Sequence, residues 1–210
     1  MPFVIIGRNK NIAWGMTQAG ADVQDMYVLT EASDGYTLDG TTKAFETRKE
    51  MIKIRGSKSE EITIRESIFG PVVTDVIGKS YRGPPLALQW TVIEKATQDT
   101  TLNGFRALGA AADWAAFRAA LALFVAPASN FVFADSVTGD IGYVMAGKVP
   151  IRANAEHTGE YPVPGISSTA YAWSGFIEAE QKPRSLAPPE GYIVSANNRA
   201  TPPNYPLAIT

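Results

Sequence analysis

The chain has 210 residues, 45% hydrophobic and 19% charged, with a formal net charge of -2. That is ordinary for a globular protein holding one substantial core or two small ones; it offers no basic footprint for nucleic acid, and no apolar run long enough to span a membrane. The lack of cysteine excludes disulfides, thiolate metal sites and cysteine nucleophiles, and 18 glycines with 14 prolines favour turns and short strands over a helical bundle.

Pro2 to Ile6 is already a buried-strand pattern, without a charged lead-in or a cleavage site. The chain is expected to begin inside a fold. Phe3–Gly7 and Ile12–Gly15 predict a hairpin turning at residues 8–11. The loop that follows holds Asp22 and Asp25. Two carboxylates with a carbonyl between them suit a hard cation such as calcium; a solvated loop or a helix cap is the plain alternative. Met26–Leu29 predicts a strand. Ile52 and Ile54 alternate with Lys53 and Arg55, and Ile62 and Ile64 with Thr63 and Arg65. This predicts a second hairpin with one half-buried face, turning at residues 56–59. Phe69–Val73 stays apolar, so the segment to Gly78 reads as mainly β.

After Pro85 the period changes. Leu86–Thr91 leads into a helix-biased region reaching about Val125. Trp114, Phe117, Leu121 and Phe124 form an amphipathic stripe, read most simply as core. Asp113 lies where a helix start favours an acid, and Pro127 stops the helix. Asn130–Asp135 and Asp140–Gly147 predict a third hairpin, apolar on both faces. Residues 148–189 are rich in Pro and Gly with little period, a long wrapped loop holding the single histidine, His157. A short apolar strand, Gly191–Ser195, then runs into Asn197, Asn198 and Arg199, with Pro202, Pro203 and Pro206 behind it. At a strand end an asparagine amide is a neutral N–H donor suited to a developing oxyanion. Satisfying backbone groups in a turn is the alternative role. Without repeats, low-complexity tracts or a linker, residues 1–210 read as one α+β body with no internal boundary.

Several catalytic arrangements fail on composition. A serine triad would have to use His157, and there is no G-x-S-x-G elbow. Neither a phosphate loop nor a dinucleotide-binding glycine motif occurs. Zinc would need more than one histidine in a cysteine-free chain.

An ordered set of stretches resembles the penicillin acylase family of amidohydrolases. They are Ile5–Asn9 with Ile12–Thr17, Ala21–Asp25, Leu86–Thr91, Pro127–Asn130 with Phe133–Asp135, Gly139–Tyr143 with Gly147, Pro150 and Arg152, Tyr161–Gly165, and Tyr192–Asn198. The resemblance implies an αββα N-terminal-nucleophile hydrolase sandwich, made from two chains cut from one precursor. This chain would be an incomplete part of the β chain, partnered by an α chain, in a periplasmic or secreted parent. In that family a β-chain N-terminal serine is the nucleophile and its own α-amine the base, so no histidine is needed. Met1 aligns downstream of that serine, and a further functional arginine would lie beyond Thr210. The chain alone is expected to be inactive.

By position, the resemblance gives Asn197 the side-chain donor of the oxyanion hole and Gln18 the backbone N–H donor. Ser129 and Phe105 fall at acyl-pocket walls. Asp22, the Gln24 carbonyl and Asp25 fall at ligands of a structural calcium, with further ligands from the α chain and from a position near Ile209 where no acid stands. The implied substrate is a small-molecule amide with a hydrophobic acyl group, a β-lactam side chain or an acyl-homoserine lactone. Nucleic acid and membrane are not expected partners. The alternative reading is a calcium-dependent, β-rich binding module without catalysis.

Overall fold

Asn9 begins the first hairpin by accepting, at Oδ1, the backbone N–H groups of Asn11 and Ile12, both at 2.9 Å. The computed structural model describes residues 3–77, 81–95, 98–199, 201–202 and 204–209. Met1, Pro2, Gly78, Pro203 and Thr210, which enter the expectations above, lie outside the described residues. The chain gathers into two compact units. One is Met1–Val23, Lys95–Ile151 and Gly175–Thr210; the other is Gln24–Glu94 and Arg152–Ser174.

The first unit holds a five-stranded antiparallel sheet in the order Gly7–Arg8, Ile12–Gln18, Ser129–Asp135, Ile141–Ala146, Arg184–Leu186. Alternation along these strands sends Ile12, Trp14, Phe131, Phe133 and Val144 to one face. Helices Thr101–Ala110 and Trp114–Leu121 cover that face through Leu108, Phe117 and Leu121, joined by Phe124 from the segment after the second helix, so the aromatic stripe is core. Asp113 caps the second helix, its Oδ1 accepting the Ala116 N–H at 2.8 Å. Gly142 is the strand residue that lets the Trp114 ring lie on the sheet: a Cβ there would stand 2.4 Å from the indole. Small residues and valine, Ala13, Gly15, Val132 and Ala134, occupy the opposite face, where a groove of about 280 Å³ opens beside Ile193.

In the second unit, Gln24–Val28 pairs antiparallel with Leu86–Trp90 and parallel with Val163–Pro164. Its core is Tyr27, Leu29, Tyr36, Leu38, Phe69, Val72, Ala87 and Val163, with Tyr27 and Phe69 stacked at 4.0 Å.

Several elements differ from the sequence reading. The first strand is only Gly7–Arg8. Leu86–Trp90 is a strand, and the helices of the region read up to Val125 are Thr101–Ala110 and Trp114–Leu121. The hairpin Glu46–Ile52 with Glu60–Ser67 forms as expected. Its first strand, however, is exposed throughout, because alternation provides an apolar face but not a layer to cover it. Residues 191–195 form no strand. The left-handed Ala187 and Gly191 and the intervening prolines prevent a ladder from continuing past Leu186. The long loop is punctuated by short strands at Pro150–Arg152, Val163–Pro164, Trp173–Phe176 and Arg184–Leu186.

Candidate functional site

Strand Ile12–Gln18 ends at Gln18, directly opposite Ser129 in the neighbouring strand. Asn197 takes a left-handed backbone, φ 57°, which asparagine tolerates better than most residues. This turns its side chain toward the strand end, where Oδ1 accepts the Gln18 N–H at 3.1 Å. The two groups singled out for an oxyanion hole therefore meet. Ser129 lies across the strand pair from them, buried, its hydroxyl donating to the Pro127 carbonyl at 3.1 Å.

A polar network lies beneath this corner. Thr17 Oγ1 and Ser195 Oγ share a hydrogen bond of 2.6 Å. The buried Asn130 donates from Nδ2 to the Gln18 carbonyl at 3.3 Å and to Thr17 Oγ1 at 3.4 Å. Tyr143 O–H donates to Asn130 Oδ1 at 2.6 Å. Burial pushes the Tyr143 phenol well above its ordinary pKa, so it stays a donor and fixes which way the Asn130 amide points. Asn130 thereby holds both the Gln18 carbonyl and Thr17. Sequence reading missed this network, although a lone asparagine in an apolar strand, facing Thr17 across the ladder, was its signal.

The corner's chemistry follows from its donors. One acceptor can take the Gln18 N–H together with the Asn197 amide N–H once that amide turns over about its Cβ–Cγ bond. Two neutral N–H groups converging on one oxygen stabilise a tetrahedral oxyanion.

Phe105 is not part of this corner. It lies on helix Thr101–Ala110 and packs edge-on against Phe124 at 4.7 Å.

The expected calcium ligands are placed differently. Asp22 belongs to the first unit, its N–H donating to the Ile209 carbonyl at 2.9 Å. Gln24 and Asp25 begin a strand of the second unit. There the period of two puts Asp25 on the same inward face as Tyr27, with 1% of its surface exposed. Its carboxylate takes Arg152 Nη2 at 2.8 Å and Nε at 3.0 Å, and the Trp173 indole N–H. His157 Nε2 lies 3.1 Å from Oδ2, out of line for a good hydrogen bond. The Gly159 N–H points at His157 Nδ1 at 3.4 Å, which puts the imidazole proton on Nε2, toward Asp25. Burial and the Asp25 carboxylate raise the Tyr27 phenol pKa. Asp25 is thus already charge-compensated and fully donated to. Among the described residues no group of three or more His, Asp or Glu could hold a metal ion.

The model of the penicillin amidase family matches residues 1–210. The chain belongs to the penicillin amidase family. Among curated members, the acyl-homoserine lactone acylase QuiP of Pseudomonas aeruginosa is 32% identical over 98% of this chain and 25% of its own length. Penicillin acylase 2 proenzyme of Pseudomonas sp. (strain SE83) is 31% identical over 97% of this chain and 26% of its own length. A solved thermostable penicillin G acylase from Alcaligenes faecalis superposes with a TM-score of 0.83 at 28% identity. It covers 97% of this chain and 36% of that one. The chain therefore spans about a quarter of the length of these curated penicillin amidase relatives.

Proposed function

We propose that this chain is part of an amidohydrolase that cleaves linear amides carrying a hydrophobic acyl group, of the penicillin or acyl-homoserine lactone kind. The observation that carries the reading is the meeting of Asn197 with the Gln18 N–H, opposite buried Ser129, in a chain matched throughout by the family. In this reading an N-terminal serine of the parent's β chain, outside residues 1–210, attacks the amide carbonyl and becomes acylated. Water then releases the acid. Gln18 and Asn197 donate to the oxyanion of both steps. Asn130, held by Tyr143, keeps the end of the Gln18 strand in place. Ser129 and Phe105 are proposed acyl-pocket walls of the parent.

The αββα sandwich is part of the same proposal. One sheet face carries both helices, and the small-residue face with its groove suits a second sheet supplied by the rest of the parent, α chain included. A structural calcium at Asp22, Gln24 and Asp25 is proposed for the parent only, where further oxygens can join them. Chelation should then lower the parent's thermal midpoint, and an unchanged midpoint contradicts it. A non-catalytic calcium-dependent module would need these residues to form a cation site unaided, and the donors around Asp25 do not favour it.

The test is hydrolysis by the purified parent of a phenylacetyl amide and of an N-acyl-homoserine lactone. Turnover of at least one is expected, with none by residues 1–210 alone. Turnover by residues 1–210 would show that the nucleophile lies within them.

A further inference from the structure

Away from the Asn197 corner, the segment leaving helix Trp114–Leu121 and the turn at Phe176–Lys182 line a cavity of about 400 Å³. Lys182 is 9% exposed, yet among the described residues its Nζ has no hydrogen bond or ion pair. The ammonium is not sealed in; it opens on the cavity. A lysine this buried is normally paired, because an ammonium leaving water without a compensating acceptor is strongly disfavoured.

The other charges of the cavity indicate what that acceptor is. Lys148 also lines it, its ammonium 4.5 Å from the centre of the Phe176 ring. Glu178 contributes the single carboxylate of the lining, engaged with the backbone of Gln181 in a capping box. Glu178 acts on Lys182 through its charge, yet among the described residues no ion pair joins them, so the Lys182 ammonium has no acceptor in contact. A monoanion balances it, whereas a dianion such as phosphate would be repelled by Glu178. Leu123 and Phe124 give the cavity an apolar wall.

We propose that this cavity binds a carboxylate attached to an apolar body, with Lys182 Nζ donating to the carboxylate and Leu123 and Phe124 receiving the body. The carboxylate can come from a free acid or from an Asp or Glu side chain elsewhere in the parent. Both present the same group to Lys182. The site is independent of the oxyanion corner and of the acylase reading.

Burial already holds the Lys182 pKa down to about 8, which gives the experiment its readout. Lysines labelled with carbon-13 at Cε are titrated by NMR in the 210-residue chain, with and without saturating sodium hexanoate. Hexanoate is expected to raise the Lys182 midpoint by about one pH unit, equivalent to about tenfold tighter binding to the ammonium than to the amine. Hexanol should not move it, and Leu123→Trp, which fills the cavity without removing the ammonium, should abolish the rise. The parent separates the two sources. A midpoint already near that of ordinary lysines without hexanoate identifies a side-chain carboxylate. A low midpoint that hexanoate raises identifies a free acid. A low midpoint unmoved by hexanoate in both proteins overturns the proposal.

Discussion

Two buried charges in this chain are handled in opposite ways. Asp25 is surrounded by donors: Arg152 grips both oxygens and Trp173 adds an N–H, with His157 Nε2 close by at 3.1 Å. Replacing Arg152 by Met leaves a buried carboxylate without its counter-charge, at an expected cost of about 3–5 kcal/mol in stability. Denaturant unfolding of the chain measures it. The double variant Asp25→Leu/Arg152→Met should lose less than Arg152→Met alone, since no charge is then stranded. Lys182 is the reverse case, a buried ammonium with no acid in contact among the described residues. Its depressed pKa, from the ordinary 10.5 to about 8, is caused first by desolvation. Below pH 8 the folded and unfolded chains both carry this proton, and the folded one bears the full cost of burying it. Between about pH 8 and 10.5 the unfolded chain binds more protons there, so stability rises with pH. Lys182→Met should therefore stabilise the free chain by up to about 3 kcal/mol at pH 7, and the advantage should vanish by about pH 10.5. Thermal unfolding at pH 7 and 10.5 is the check; an advantage that grew with pH would contradict it.

Among the elements, those specified by local chemistry were legible in the sequence. The hairpin at Asn9, the hairpin of Ser129–Asp135 with Ile141–Ala146, and the helix begun at Asp113 all follow from turn residues, alternation and capping. Asp113→Ala removes the one side-chain cap of helix Trp114–Leu121, and a loss of about 1 kcal/mol is expected in chemical denaturation. No loss would mean that packing of Phe117 and Leu121 alone holds the helix. What the sequence did not disclose depends on partners distant along the chain. Ile52 and Ile54 alternate with Lys53 and Arg55 as a half-buried strand should, yet they are 45% and 42% exposed, since nothing in their own period says whether a layer covers them. Asp25 read as a loop ligand because Asp22 and Gln24 flank it. Once the strand is taken to begin at Gln24, the same period sets it beside Tyr27 and Leu29 in the buried row.

At the scale of the molecule, the family was legible because its stretches occur in order, although no one of them is distinctive. The candidate site was legible only in part. Asn197, Gln18 and Ser129 could be placed by resemblance, and the structure brings them to one corner. Asn130, Tyr143, Thr17 and Ser195, which hold that corner, come from four separate stretches and have no joint signature along the chain. The central proposal is that this corner is half of an oxyanion hole serving a nucleophile elsewhere in the parent. The most direct measurement is steady-state kinetics of the parent carrying Asn197→Ala, with chain cleavage and thermal unfolding followed in parallel. Loss of one oxyanion donor predicts a fall in kcat of about 10²–10³-fold, with processing and folding intact. An unchanged kcat would contradict the account.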